Sequence, residues 1–226
     1  MDLNEFKIKF PEIRENGFYA SLRNGPTGVG HTLEQCLGLT ENNVAIPDLG
    51  EVELKAHRDK TGNLITLFTF NRKAWQMPPL LAIQKYGTRD KDGRLGVYFT
   101  MSQTPNSSCL FLSVTDEAIS VQHTSGQILV RWFTKDLSEQ FKKKVPALLL
   151  VTARSEMRGN TEHFHYYRAR LLTGTSPTVL ADQIRRGNIL IDLRLHDAVT
   201  RARNHGTGFR AYESSLDQIF TKVETI

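Results

Sequence analysis

The apolar run LLLVTA, from Leu148 to Ala153, constrains the fold more than any other segment of the chain. A strand whose two faces are both apolar has to be covered on both sides, which places it in the middle of a sheet flanked by helices. Apolar residues at helical spacing occur in Val29–Leu37, and Val52 and Leu54 alternate with charged residues as in a half-buried strand. We therefore predict a mixed α/β protein in which the apolar run is a central strand.

Composition narrows the class of protein. The chain has 226 residues, which is enough for one domain with a substantial second lobe. No apolar run approaches the roughly 20 residues of a membrane span, and the amino-terminal residues lack the apolar core of a secretory signal. Two cysteines, Cys36 and Cys109, argue against a disulfide framework or a zinc knuckle. We expect a soluble, intracellular protein.

The distribution of positive charge is more informative than the net charge of +5. Between residues 185 and 210 the chain has six arginines and no lysine: Arg185, Arg186, Arg194, Arg201, Arg203 and Arg210. The planar guanidinium fork can grip a phosphate or the edge of a guanine, which a lysine cannot do in the same way. The pattern favours nucleic-acid binding, with a solvated basic face as the alternative.

The segment Pro47–Lys55 carries the strongest chemical signal. Glu53 and Lys55 are two residues apart on a predicted strand, so both side chains leave the same face. Asp48 precedes a turn at Gly50 that can bring it back beside Glu53. Two converging carboxylates suit Mg²⁺, and a neighbouring amine can orient water and neutralise charge on a phosphate. The alternative is ordinary strand alternation with surface charges, because this spacing often arises by chance.

Other polar residues carry weaker signals. Glu34 falls off the apolar stripe of its predicted helix, so it is either a further acidic group near Glu53 or a surface residue. His163 and His165 share a strand face, but no third metal ligand accompanies them, which favours structural roles.

A second constellation lies on the predicted strand 189–195. Asp192 and Arg194 share one face of it. Arginine pairs with guanine O6 and N7 while a carboxylate accepts from cytosine N4, so the two residues could read one C·G base pair. A salt bridge along the strand is the commoner alternative. The segment Arg203–Arg210 offers further donors on a loop that returns toward this strand.

Four blocks in this order resemble the MvaI/BcnI family of restriction endonucleases, which are relatives of the mismatch-repair nickase MutH and belong to the PD-(D/E)xK superfamily. The blocks are Thr27–Glu34 (TGVGHTLE), Glu41–Lys55 (ENNVAIPDLGEVELK), Leu64–Phe68 (LITLF), and Gly187–Leu195 together with His205–Arg210 (HGTGFR). They span nearly the whole chain. The resemblance implies an α/β fold of the PD-(D/E)xK type, with a mixed central sheet, flanking helices and two lobes around a DNA-binding cleft.

The resemblance also implies an organisation and an activity. Residues 1–226 would form one endonuclease domain, with a catalytic lobe over roughly 1–100 and a recognition lobe over roughly 101–226. The enzyme would act on double-stranded DNA in the cytoplasm of a prokaryotic cell, as a monomer without an obligate protein partner or a membrane. It would nick CC-N-GG sites one strand at a time, using one or two Mg²⁺ ions.

Site residues follow from the same motifs. The catalytic positions fall on Asp48, Glu53 and Lys55 with Glu34 in support, and the metal ligands on Asp48, Glu53 and the backbone carbonyl of Leu54. The DNA-reading positions fall on Asp192, Arg194, Arg203, His205, Arg210, Thr69 and Gly208.

Two of these positions bear on specificity. The BcnI-like branch has histidines where this chain has Thr69 and Gly208, which are closer to the MvaI-like pattern. We therefore expect CCWGG, with an unselective CCNGG site as the alternative. Two other functions stay open at this point: a MutH-like repair nickase, and a non-catalytic sequence-specific DNA-binding protein.

Overall fold

The computed structural model describes residues 1–39, 47–59, 62–71 and 74–226. Residues 41–46, the first part of the second family block, lie outside the described residues. The helices are α1 (Leu3–Glu15), α2 (Gly28–Leu37), α3 (Pro79–Tyr86), α4 (Thr134–Lys144) and α5 (Val179–Arg185), with a 3₁₀ helix at Glu213–Gln218. The strands are β1 (Phe18–Ala20), β2 (Glu53–Arg58), β3 (Ile65–Thr69), β4 (Thr88–Arg89), β5 (Leu95–Met101), β6 (Leu110–Val114), β7 (Ala118–His123), β8 (Ile128–Phe133), β9 (Leu148–Arg158), β10 (Thr161–Thr173), β11 (Ile189–Asp197), β12 (Ala202–Asn204), β13 (Gly208–Ala211) and β14 (Lys222–Thr225). The mixed α/β class is confirmed.

The chain forms two compact units, each assembled from segments that are distant in sequence. The first unit comprises Met1–Ile65, Lys143–Thr175 and Phe220–Ile226, and the second comprises Thr66–Lys142 and Ser176–Ile219. This division differs from the lobe boundary expected near residue 100. The reason is strand pairing: β2 pairs with β9, which lies about ninety residues further along the chain, and the carboxy-terminal β14 pairs with β10.

The first unit is built on a five-stranded sheet in the order β1-β10-β9-β2, with β14 also paired to β10. Strand β2 is parallel to β9, whereas β1, β9 and β14 are antiparallel to β10. The apolar run at the start of β9 is fully buried and lies between two other strands. Its prediction as a central strand is confirmed, although β9 continues to the exposed Arg158.

One face of this sheet packs against α1 and α2. Phe6 and Phe10 of α1 stack at 5.1 Å and join Leu33 of α2 in a core that also takes in Leu54 of β2 and Val151 of β9. Because side chains alternate along a strand, burying Leu54 in this core directs its neighbours Glu53 and Lys55 to the opposite face. The hydrophobic pattern of β2 therefore decides which face carries the candidate chemistry.

The second unit contains two sheets. Its six-stranded sheet has the order β3-β13-β11-β5-β4, with β12 paired to β11, and a three-stranded sheet has the order β6-β7-β8. Strand β11 lies between β13 and β5 and is antiparallel to both. Phe209 of β13 stacks on Phe68 of β3 at 4.5 Å and meets the edge of Trp132 at 5.6 Å.

Two local patterns predict elements that the structure forms differently. Residues 1–24, with Phe6, Phe10 and Phe18 as anchors, are expected to form one or two short helices, but Phe18–Ala20 forms β1, because it pairs with His163–His165 at the edge of the first sheet. An amphipathic stretch predicts a short helix at about 215–220, where the structure has a 3₁₀ helix at Glu213–Gln218. In both places tertiary pairing and packing override a weak local preference. No helix in the described residues has the length and apolar character to cross a membrane.

Candidate functional site

A tight turn places Asp48 beside the start of β2. Gly50 adopts a left-handed backbone conformation with φ 73°, and the backbone amide of Leu49 donates to the carbonyl of Val52 at 2.9 Å. The chain thereby reverses, and Oδ2 of Asp48 accepts a hydrogen bond from the amide of Leu54 at 3.1 Å. The bend predicted at Gly50 is present, and it brings Asp48 back to the strand that carries Glu53.

Glu53 and Lys55 form an ion pair on one face of β2. The Lys55 Nζ atom lies 2.5 Å from Oε1 of Glu53. Glu53 is only 7% exposed, and its Oε2 is buried with no hydrogen-bond partner among the described residues. Burial raises the pKa of Glu53, Lys55 opposes that shift, and the nearby charge of Asp48 adds to it. Burial and the charge of Asp48 therefore disfavour the charged form of this carboxylate, and a bound cation would favour it.

The oxygen atoms of Asp48, Glu53 and Leu54 suit a magnesium ion. Magnesium is commonly held by one or two carboxylates while it keeps several waters. Asp48 and Glu53 supply two carboxylates, and the backbone carbonyl of Leu54 directly follows Glu53 in the chain. Oε2 of Glu53 has no hydrogen-bond partner among the described residues. In the described part of the chain, no group of three or more His, Cys, Asp or Glu side chains gathers around one point. The donor set therefore suits an oxygen-bound cation that retains water.

Glu34 lies on α2, which packs against β2. Its side chain is half-buried, while the neighbouring Leu33 is buried in the core shared with Leu54. The structure therefore places Glu34 on the helix that supports the candidate strand. Its supporting role stays a prediction.

Lys144 is a site residue that the sequence did not indicate. It is the last residue of α4, and its positive charge lowers the pKa of Glu53, against the larger effect of burial. In the sequence it belongs to the run Lys142–Lys144, which is typical of a solvated helix end. Only the parallel pairing of β9 with β2 brings the end of α4 close to Glu53, since Ala147 accepts a hydrogen bond from the Glu53 amide.

The buried carboxylate of Asp192 is the centre of a polar cluster in the second unit. Thr100 donates to its Oδ1 at 2.6 Å, and Arg194 and Arg210 donate to its Oδ2 at 2.8 and 2.5 Å. Asp192 is 3% exposed. Burial alone would raise its pKa, but the hydrogen bonds from Thr100, Arg210 and Arg194 outweigh burial and hold the pKa below its usual range. The salt bridge between Asp192 and Arg194 considered from the sequence is present, and Thr100 is a partner that the sequence did not reveal.

A pocket of about 400 Å³ opens beside this cluster. Its lining residues are Tyr98, Phe99, Thr100, Asp192, Leu193, Arg194 and His205. The side chain of Arg194 is 51% exposed, so its guanidinium can meet a ligand while it stays bonded to Asp192. The pocket combines exposed polar side chains, among them Arg194 and His205, with the buried carboxylate of Asp192, a combination that suits the edge of a base.

His205 is coupled to two neighbours at this pocket. Its Nε2 lies 3.3 Å from Nδ1 of His196, which also bonds the hydroxyl of Tyr98 at 2.8 Å. Partial burial, followed by the charges of His196 and the nearby arginines, lowers the pKa of His205. The lowered pKa favours the neutral imidazole, in which one ring nitrogen is a donor and the other an acceptor.

The remaining predicted DNA-reading residues border the same sheet. Gly208 begins β13 and pairs with Asp192, and a Cβ atom at Gly208 would lie 3.5 Å from the Arg210 side chain. Thr69 is exposed at the end of β3, and a Cβ atom at Gly206 would lie 3.9 Å from it. Arg203, on β12, is also exposed. The fold thus gathers these residues around β11 and β13.

The two strand histidines have structural partners. His163 Nδ1 bonds the carbonyl of Thr161, and His165 Nε2 bonds the carbonyl of Arg14. These contacts agree with the structural roles favoured from the sequence.

Comparison with known proteins adds independent information. The model of the MvaI/BcnI restriction endonuclease family matches residues 7–220. The solved structure described as restriction endonuclease MvaI in complex with cognate DNA superposes with a TM-score of 0.82 at 24% identity, covering 100% of this chain and 99% of that one. The structure of MvaI in the absence of DNA gives a TM-score of 0.54 at 25% identity, covering 99% of this chain and 97% of that one. No curated protein matches the chain. The predicted restriction-endonuclease fold is confirmed.

Proposed function

The chain belongs to the MvaI/BcnI restriction endonuclease family and is a type II site-specific deoxyribonuclease, and from that premise we propose that it cleaves CC-N-GG-like sites with Mg²⁺ held by Asp48 and Glu53. We further propose CCWGG as the preferred site, one strand nicked per binding event, and a monomeric enzyme. One observation carries the catalytic part: Glu53 is ion-paired to Lys55, its Oε2 is buried without a hydrogen-bond partner among the described residues, and the charge of Asp48 is close enough to raise its pKa.

Enzymes of this family generally use a divalent metal ion. When bound, Mg²⁺ supplies Lewis-acid stabilisation of the charge on the phosphate and lowers the pKa of the attacking water. Asp48 and Glu53 would hold the ion, and the Leu54 carbonyl would be a third oxygen ligand. Lys55 Nζ donates to the attacking water or to a non-bridging phosphate oxygen as negative charge builds up there. The Asp48–Leu54 hydrogen bond holds the Asp48 carboxylate in place during these steps.

The polar cluster of the second unit supports the reading function. Arg194 and Arg210 present guanidinium groups to guanine O6 and N7, and Asp192 fixes the orientation of both. A carboxylate has about four acceptor positions. Three are used by Thr100, Arg194 and Arg210, so one position on Oδ1 remains for the amino group of a cytosine. Asp192 therefore acts mainly by positioning arginines and secondarily by direct contact.

The preference for a central A·T pair rests on the small residues Thr69 and Gly208. Neither brings a charged or strongly directional group to the central base pair. Replacing Gly208 by histidine would place a ring against Arg210, because a Cβ atom there points at the Arg210 side chain. A Thr69→His, Gly208→His double variant should shift cleavage from CCWGG toward CCSGG, and Gly208→Ala is its matched control.

The deciding experiment is digestion of plasmid DNA with Mg²⁺, followed by sequencing of the cut ends. Discrete cuts at CCWGG support the whole proposal, and cuts at all CCNGG sites retain the enzyme class but remove the central-base preference. The order in which nicked and linear products appear tests strand-by-strand cleavage. Sedimentation of the protein with and without a cognate duplex tests the monomer. DNA that is bound but stays intact at every enzyme concentration would contradict the catalytic assignment.

A further inference from the structure

The sheet face that carries Glu53 and Lys55 continues as a row of polar side chains across three strands. His57 follows Lys55 on β2, and the strand register aligns His57 with Thr152 of β9 and Thr152 with Arg168 of β10. The hydroxyl of Thr152, which is fully buried, bonds His57 Nε2 at 3.0 Å and Arg168 Nη2 at 3.4 Å. One hydroxyl therefore ties both basic side chains to the face of the candidate catalytic strand.

A β-bulge adds an aromatic ring to this row. The register of β10 against β9 shifts between Tyr166 and Arg168, which leaves Tyr167 as the extra residue. Bulges redirect side chains and occur often beside active sites. The guanidinium of Arg154 lies 4.7 Å from the centre of the Tyr167 ring, and that of Arg168 lies 5.9 Å from it. Two arginines are thus held on one ring, next to the row that begins with Glu53.

Arg154 differs from the structural arginine Arg58 of the same unit in its partners. Arg58 is paired with Glu162 and bonds the carbonyls of Gly25 and Pro26, so its donors are used within the fold. Arg154 is exposed and makes no ion pair within the described residues. A guanidinium that is oriented by an aromatic ring but lacks an acidic partner is suited to an external anion.

We propose that Arg154 and Arg168, with His57, bind backbone phosphates of the DNA strand that is cut, within a few nucleotides of the scissile phosphate. This inference rests on the proposed function. Residues two apart on a strand are roughly 6.6 Å apart, and neighbouring strands lie about 4.8 Å apart. With the register of the three strands, these spacings put Arg168 about 12 Å and Arg154 about 14 Å from Lys55. At about 3.4 Å per nucleotide of one strand, these distances correspond to about four nucleotides. The contact is to phosphate and therefore adds affinity without base specificity.

The test compares the salt dependence of DNA binding in variants of the full chain. Binding is measured without metal, on a cognate and a non-cognate duplex, over a range of KCl concentrations. Arg154→Gln should lower the slope of log K against log[salt] by about 0.9 for the lost phosphate contact, equally for both duplexes. Arg158→Gln is the matched control, because Arg158 lies on the same strand but is paired with Glu156 and rests on the Phe18 ring. Its slope should equal that of the wild type.

A second measurement locates the contact. Duplexes with a single neutral methylphosphonate are placed one to five nucleotides on either side of the cut. One of these should weaken binding of the wild type several-fold and leave Arg154→Gln unaffected, and Arg168→Lys should show a partial effect at a neighbouring position. Equal slopes for the wild type and Arg154→Gln, or no methylphosphonate position that couples to Arg154, would overturn the inference. A wild-type protein that cuts DNA in either case keeps the proposed function, whereas one that cuts no DNA removes the function itself.

Discussion

Oδ2 of Asp48 accepts a hydrogen bond from the backbone amide of Leu54 at 3.1 Å, across the turn that contains Gly50. This bond joins the carboxylate of Asp48 to β2 at Leu54, the residue between Glu53 and Lys55. Asp48 is exposed, so without the bond its side chain would be free to rotate in solvent. The turn and the bond together convert a five-residue separation in sequence into two adjacent carboxylates.

The turn itself can be tested at Gly50. A Cβ atom there has open space around it, so only the left-handed backbone is strained by a side chain. Gly50→Ala should lower the free energy of unfolding by about 1–2 kcal/mol and reduce cleavage, because Asp48 is displaced. Gly50→Asn should recover most of both, since asparagine tolerates this conformation. Urea unfolding and single-turnover cleavage measure the two effects, and an alanine variant with full activity would contradict the role of the turn.

Replacing Lys55 should separate cleavage from binding. Lys55→Ala removes the amine that would stabilise charge on the phosphate, so the cleavage rate should fall by about 10²–10³ while affinity for the cognate duplex stays within a few-fold. Lys91→Ala, at an exposed position in the second unit, is the control and should cut normally. Loss of binding in step with cleavage would show that Lys55 acts only through affinity.

Metal binding can be measured separately from cleavage. Glu53→Gln keeps the shape of the side chain but removes its charge, so binding of Mg²⁺ or Mn²⁺ followed by calorimetry should become undetectable. Chelation with EDTA should stop cleavage by the wild type and leave a bound, intact duplex. Unchanged ion affinity in Glu53→Gln would place the metal elsewhere.

Thr100→Val removes the hydrogen bond to Oδ1 of Asp192. Hydrogen bonds to charged groups contribute about 1.5–3 kcal/mol, so the free energy of unfolding at pH 7 should fall by about 1–2 kcal/mol. Because the pKa of Asp192 is held below its ordinary value of 3.8, this stabilisation is present above about pH 4. It should be lost as the pH falls through the lowered pKa. Unfolding of the wild type and the variant between pH 2.5 and 7 should therefore converge at the acid end, and a constant difference would argue against the charged acceptor.

Arg194→Ala should weaken sequence discrimination more than affinity. A bidentate arginine–guanine pair contributes about 1–3 kcal/mol against the wrong base, so cleavage of sites with one outer base pair changed should approach that of the cognate site. Arg186→Ala is the control: Arg186 is exposed at the end of α5 and paired with Asp182. If Arg194→Ala retained full discrimination, the base contact would belong to another residue, with Arg210 the next to test.

Much of the fold could be predicted because its determinants are local. Each of these determinants depends on residues within one turn or one strand. They are the apolar run of β9, the helical stripe of α2, and Gly38, whose left-handed backbone conformation ends α2. The same is true of Glu53 and Lys55, whose shared face follows from the two-residue period of a strand. The family blocks added the expectation of chemistry, and the family is confirmed over residues 7–220.

What the sequence determined by itself was therefore the set of elements, the face that Glu53 and Lys55 share, and the family. Tertiary structure alone decided which distant residues join them. Lys144 approaches Glu53, and Thr100 bonds Asp192, only because β2 pairs with β9 and β5 with β11. These contacts join residues about ninety positions apart, and no local spacing encodes them, since sheet register is set by the burial of the whole opposite face. The position of the Asp48 carboxylate depends on both. Gly50 predicts a bend from the sequence alone, but the hydrogen bond from Leu54 that holds Asp48 in place forms only in the folded chain.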